Sequence, residues 1–473
     1  MSAPSPRSPL LAPIPWLARH AAVARVFLYA FLVRAVFDMV VQRPLEAARS
    51  DMGGYIGRAL AMLDKPLEPD PMVTFFPYGT HMLLGVALRL FGRANFVAVA
   101  LLFALLGATA AAATYATAKR LFPERPRLAL AVGIFFTLYP TWVHLGAFVL
   151  SETPLSAAVA LSTLLALRLL DEGRARDAWL LGATIAVGAT FRPQLLVFVP
   201  MLFLAAIAAR RRWFPRGGDT RRVSWAHASI AVLLPVALVL GASAARTEYH
   251  TKQFGLVSTN GAFNVAIGRC RAVQLSASKS RGGTFTPPAF NALSHYEEHY
   301  KTKPLIPLDP ALGEHVSFDG YLWEEKPALE LAKRCVATTG VPRQIGYSLG
   351  HVGLLWFYNT VWPTKGALAT VTSIVHAIVV LPGLAIALVL LLVRRDPRLA
   401  VLGAQAAGLI LTAMLVFGEA RLRAPYDGVL DTLAVAGYLA VIPKIVARFR
   451  ARRRAPAVAP AIPVENLLRE ERP

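Results

Sequence analysis

Apolar runs close to twenty residues long, separated by short polar clusters, recur from about Ala21 to Val446 and constrain this chain more than any other feature. About 20 helical residues cross the hydrocarbon of a bilayer, and inside lipid every backbone amide must be satisfied within the segment itself. Composition agrees: 55% of the 473 residues are hydrophobic and only 16% are charged, against about a quarter charged in an ordinary soluble protein. The fold class expected is therefore an all-α polytopic membrane protein. The formal net charge of +22 does not point to nucleic acid as a partner. The basic residues fall in short clusters between apolar runs, as the positive-inside rule produces.

Those clusters orient the chain. The first run, Ala21 to Val41, follows Arg7 and Arg19 and carries Arg25, so residues 1–20 read as a cytoplasmic tail. It ends without a small-residue cleavage site and reads as a retained span, not a signal peptide. Residues 42–95 are too polar to span; they form a first outer loop in which THMLLGVALRLFG makes an interfacial helix. Runs at Phe96–Ala118, Leu128–His144, Thr153–Leu170, Trp179–Ile207 and Ala226–Ala245 complete a core over residues 21–245. The run at 179–207 is broken at Phe191-Arg192-Pro193, where proline removes a backbone donor and disfavours helix before it, so two spans meet there in a tight outer turn. Residues 246–366 read as an extracytoplasmic loop domain closing in an aromatic interfacial segment, Gly350 to Trp362. C-terminal spans over 367–446 and a basic cytoplasmic tail over 447–473 follow, for about ten spans in all. Both cysteines, Cys270 and Cys335, fall in the outer loop domain. An even pair in an oxidising compartment tends to bridge, and the chain-entropy model values this loop closure at roughly 4 kcal/mol.

The orientation puts three polar sites on one side of the membrane. They are Asp51 in SDMGGYIGRALAML, Glu152 in FVLSETPL, and the arginines Arg192, Arg421 and Arg423. Ionisable groups at membrane depth are costly and usually functional, though at the interface the cost is small. A carboxylate within reach of a hydroxyl can act as general base, and the planar fork of arginine suits phosphate.

The order of these motifs resembles the GT-C superfamily of membrane glycosyltransferases, in its protein-mannosyltransferase and lipid A aminoarabinose-transferase branch. Asp51 with Tyr55 and the GRALAML run, then FFPYGTHMLLGVALRLFG with Tyr78, LSETPL, TFRP and EARLRAP follow that family's sequence of motifs. STNGAFNVAIG, from Ser258 to Gly268, is similar to the Asn-Gly…Asn…Gly opening of its large outer loop. The chain departs from the pattern at Met52, where an acid often follows the first. Glu152 thereby becomes the candidate second acid. The resemblance implies a GT-C-like bundle in a bacterial inner membrane, with its active site facing the exterior. It would transfer a sugar, with inversion, from a polyprenyl-phosphate donor to a lipid, glycan or protein acceptor. Asp51 and Glu152 are the expected catalytic pair, and Arg192, Arg421, Arg423, Tyr55 and Tyr78 the expected donor-binding residues. The resemblance fixes no cofactor; a divalent cation, if used, would be held by Asp51 and Glu152.

Other signals weigh less. HYEEH at residues 295–299 matches the inverted zinc-peptidase pattern, but no third ligand accompanies it; a solvated helix is the expectation. Arg34 and Asp38 lie four apart and are expected to pair within the first span. No G-x-x-x-x-G-K-[ST] loop is present, which leaves ATP-driven transport unsupported. A transporter or flippase of lipid-linked saccharides is the rival reading, although internal repeats of the kind transporters carry are absent. A catalytically inactive scaffold is a third, suggested by Met52.

Overall fold

The computed structural model describes residues 15–43, 51–65, 68–208, 223–270, 274–280, 284–285, 312–313, 315–357 and 367–454. The helices are α1 (Pro15–Val36), α2 (Asp51–Asp64), α3 (Met72–Phe75), α4 (Gly79–Phe91), α5 (Phe96–Leu121), α6 (Pro126–Leu138) and α7 (Pro140–Gly146). Next come α8 (Glu152–Glu172), α9 (Ala175–Phe191), α10 (Phe198–Ala208), α11 (Trp225–Thr251), α12 (Gly261–Arg269), α13 (Glu325–Thr339) and α14 (Val341–Phe357). The last four are α15 (Ala367–Arg394), α16 (Pro397–Leu415), α17 (Ala420–Arg423) and α18 (Asp427–Arg454). The HYEEH segment and Trp362 lie outside the described residues.

Five helices are long and apolar enough to cross a membrane: α5, α8, α11, residues 374–393 of α15, and α16. The pair α6–α7, bent by 50° at Tyr139, makes a sixth if it is one span. The expected number, about ten, is not reached by this measure among the described residues. The run at 179–207 divides at Arg192 into the 17-residue α9 and a second piece, Pro193–Ala208, in which a 3₁₀ turn at Pro193–Val197 leads into α10. The chain is an integral membrane protein whose shorter helices complete the bundle.

Helix α5 is the hub. Its buried face is almost all small, with Gly107, Ala108, Ala110, Ala111, Ala112 and Ala113, and α1 and α8 pack along it. Without a hydrophobic drive between helices in lipid, small side chains let backbones approach and gain dispersion contacts. Gly107 makes room for Arg34, whose guanidinium lies where a Cβ would stand. The expected Arg34–Asp38 pair does not form. Nη1 of Arg34 donates to the carbonyls of Ala30 and Thr137 at 3.3 and 3.4 Å. A π turn over Phe37–Val41 follows α1 directly; its wider winding removes the i,i+4 register that pairing needs.

Helix α8 sets the axis between the two ends. Its 21 residues rise about 30 Å, a full hydrocarbon thickness. At its C-terminal end Arg120 meets Asp171 at 3.1 Å and Glu172 at 2.5 Å, and Arg398 meets Asp171 at 3.0 Å. At its N-terminal end lies Glu152.

The loop domain caps that second end. Helices α12 and α13 pack on a three-stranded sheet of order β2-β1-β3, with β1 Gln274–Ala277, β2 Thr284–Phe285 and β3 His315–Phe318. Strand β1 runs antiparallel to β2 and parallel to β3. Its core holds Phe263, Leu275, Phe318, Leu331 and the Cys270–Cys335 disulfide, whose Cα atoms are 5.2 Å apart. The bridge expected from the charge map is present. Arg269 docks this domain on the bundle, donating to Ser348 Oγ at 3.0 Å and to the Met414 carbonyl at 2.7 Å. Gly268 is required there, because a Cβ would overlap the carbonyl oxygen of Val416.

Candidate active site

Four charged side chains from four separate chain breaks meet where the bundle touches the loop domain. Asp51 opens α2 and Glu152 opens α8, each a carboxylate in the first turn, where the helix dipole favours negative charge. Arg192 stands in extended backbone at the end of α9, because Pro193 stops the helix. Arg421 sits on the one-turn helix α17, entered through extended Glu419. Chain breaks put polar groups at helix ends, which is how a bundle of apolar helices assembles charges without burying them at mid-span.

Glu152 is the hub of the cluster. Its side chain is 0% exposed, and both Arg192 and Arg421 bind its Oε1. Nη1 of Arg421 reaches Asp51 Oδ2 at 2.8 Å, and Nε of Arg192 donates to Ser151 Oγ at 2.8 Å. The two carboxylates and two guanidiniums balance in charge. Their exposures differ: the Asp51 side chain is 25% exposed against 10% for Arg421. Glu152 is fixed between two guanidiniums, whereas the partly exposed Asp51 lines the open space beside them.

That space is a cavity of about 800 Å³. Asp51, Tyr55, Arg192 and Arg421 line it on the bundle side. Leu196, Val197, Leu415, Val416 and Phe417 form an apolar flank, and Phe75 and Phe76 a second wall. Ser258, Asn260, Asn264 and Glu325 face it from the loop domain. Two expected residues lie elsewhere. Tyr78 hydrogen-bonds Ser243 Oγ at 2.8 Å under the Arg246 guanidinium. Arg423 is buried against Asp427 at 2.8 Å and donates to the Leu355 carbonyl at 3.0 Å.

The motifs left out one cavity residue beside the arginines, Glu419. It sits in the loop between α16 and α17, and among the described residues its carboxyl makes no hydrogen bond or ion pair. Burial pushes it above the usual carboxylate range, with Arg421 opposing. Its place two residues before Arg421 in EARLRAP was the only available signal. No cluster of three or more metal-ligating side chains occurs among the described residues. The potential metal pair, Asp51 and Glu152, has Arg421 between its members, and a cation there would have to displace that guanidinium.

Residues 76–241 match the family model described as dolichyl-phosphate-mannose-protein mannosyltransferase. No curated protein matches. Among solved structures, the chain is similar to the oligosaccharyltransferase AglB from Archaeoglobus fulgidus in complex with an inhibitory peptide and a dolichol-phosphate. That likeness has 14% identity and a TM-score of 0.47, over 94% of this chain and 53% of that one. It is also similar to ArnT from Cupriavidus metallidurans bound to undecaprenyl phosphate, at 16% identity and a TM-score of 0.37, over 92% and 81%. The chain spans about half the length of the oligosaccharyltransferase.

Proposed function

We propose that the chain is a GT-C membrane glycosyltransferase of the protein-mannosyltransferase and ArnT-like type, a reading supported by the family-model match over residues 76–241, and that it transfers a sugar from a polyprenyl-phosphate donor to an acceptor, with inversion. Transfer takes place at the loop-domain face of a bacterial inner membrane. The observation that carries this reading is the Asp51–Arg421–Glu152–Arg192 cluster at the wall of a large, partly apolar cavity.

The chemistry follows from the geometry. Displacement at the anomeric carbon releases a lipid phosphate, whose charge needs preorganised cations. Arg192 and Arg421 supply them, held in place by Glu152. The apolar flank from Leu196 to Phe417 suits the first isoprene units. Arg421 currently spends one nitrogen on Asp51. A phosphate that takes over this guanidinium releases the Asp51 carboxylate to accept the proton of an incoming hydroxyl, so donor binding and base activation are coupled. A lipid, glycan or protein hydroxyl would serve as acceptor.

Undecaprenyl phosphate, the lipid bound in the ArnT structure, is the probe. Lysine at position 192 or 421 keeps the charge and loses the fork, so each variant should bind this lipid about tenfold more weakly, one charge-assisted hydrogen bond's worth. Unchanged affinity in both variants would remove the phosphate role. Glu419 adds a pH signature. Its carboxyl is held up by burial, so it is neutral at low pH and adds negative charge beside Arg421 as pH rises. Lipid-phosphate affinity should fall more with rising pH in the wild type than in Glu419→Gln, and parallel pH curves would refute this. Sidedness is checked by labelling single cysteines placed at exposed loop-domain positions such as Lys279 or Asp319. Reaction in intact cells is expected, and reaction only after permeabilisation would invert the orientation.

A further inference from the structure

The loop-domain wall of the cavity offers chemistry that the phosphate reading leaves unused. Asn260 precedes α12 and Asn264 lies one turn on, at the i,i+4 spacing that puts both on one helix face; both line the cavity. Glu325, in the first turn of α13, lines it too and is half-buried. Asn260 Oδ1 accepts from Ser258 Oγ at 2.8 Å. Among the described residues, the side chains of Asn264 and Glu325 have no hydrogen bond or ion pair. Phe263, next to Asn264, also lines the cavity, with its ring 5.9 Å from that of Phe75.

We propose that Asn260, Asn264 and Glu325 form the subsite that recognises the sugar hydroxyls of the donor. This deepens the transferase reading and rests on it. A carboxylate is an acceptor-only partner for hydroxyl groups, and a carboxamide both donates and accepts. The Phe75 and Phe263 rings supply an apolar face for ring carbons. This wall cannot be the phosphate site, because Glu325 repels an anion that the two arginines attract. With the phosphate at Arg192 and Arg421 and the isoprene units on the apolar flank, the sugar is left to the loop-domain side. The disulfide gives the subsite its rigidity: Cys270 follows directly after α12 and Cys335 is in α13, so one bond ties together the two helices that carry the polar groups.

The test compares the affinity of the purified full chain for undecaprenyl phosphate with that for undecaprenyl-phosphoryl sugars. The panel is a hexose, an N-acetylhexosamine and a 4-aminopentose. The wild type should prefer one glycosylated lipid over the bare one. Glu325→Gln and Asn264→Ala should each cut that preference roughly tenfold, one polar contact's worth, and leave affinity for the bare lipid unchanged. Glu325→Asp and Asn264→Ser serve if either first variant fails to fold. A wild type without preference for any sugar, or variants that keep the wild-type ratio, would overturn the subsite. A wild type that binds no lipid phosphate, or Arg421→Lys without effect on it, would instead bring down the transferase reading beneath it.

Discussion

Asp51→Asn should lower sugar transfer by roughly 10²–10⁴-fold, the usual contribution of a positioned general base, while binding of undecaprenyl phosphate stays equal or becomes tighter. The two halves of this result come from one contact. Asp51 holds Nη1 of Arg421 at 2.8 Å, so it competes with an incoming phosphate for the same donor. Asparagine keeps the shape and weakens that competition, but has no basic lone pair to take a proton from the acceptor. The measurement is release of undecaprenyl phosphate from the preferred glycosylated lipid, in membranes of a deletion strain that supply the natural acceptor. An asparagine variant with near-normal turnover would take Asp51 out of the proton-transfer step. A variant that lost lipid binding as well would make Asp51 part of the phosphate site's framework.

Much of this site was legible because its residues sit where apolar runs stop. Asp51 follows a polar stretch, Glu152 opens SETPL, Arg192 precedes a proline, and Arg421 lies in a short loop between apolar runs. Each break is visible locally, and the charge map sorts them all to one face. The contacts between the breaks are not local. That Glu152 serves both arginines follows from α8, α9 and α17 converging, across 269 residues for the Arg421 bond, and no spacing encodes it. Arg423 shows the complement. Two positions from Arg421 it is equally conspicuous, yet on a helix that offset turns it to another side, where Asp427 receives it. The span count is not fixed by the sequence for a related reason. Hydropathy marks the apolar stretch at 179–207, but whether it makes full crossings depends on how the chain bends at Pro193. The disulfide was legible because sidedness and parity decide it, without any contact having to be known.

Glu152→Gln should be the most destabilising single change at the site, costing roughly 3–5 kcal/mol, the usual loss when one member of a buried ion pair is removed. Glu152 is fully buried and is the shared partner of Arg192 and Arg421. Glutamine has nearly the same shape and can still accept one hydrogen bond. It removes the negative charge that both guanidiniums share, so two like charges face each other across the cluster. The measurement is thermal unfolding of the purified protein with and without undecaprenyl phosphate. A ligand that binds only the folded state stabilises it by mass action. An anion that fills the missing charge should therefore raise the unfolding temperature of the glutamine variant by more than that of the wild type. A variant as stable as the wild type without lipid would mean that Glu152 is not what holds the arginines. A variant destabilised but indifferent to the lipid would mean that the arginines it holds do not receive the phosphate.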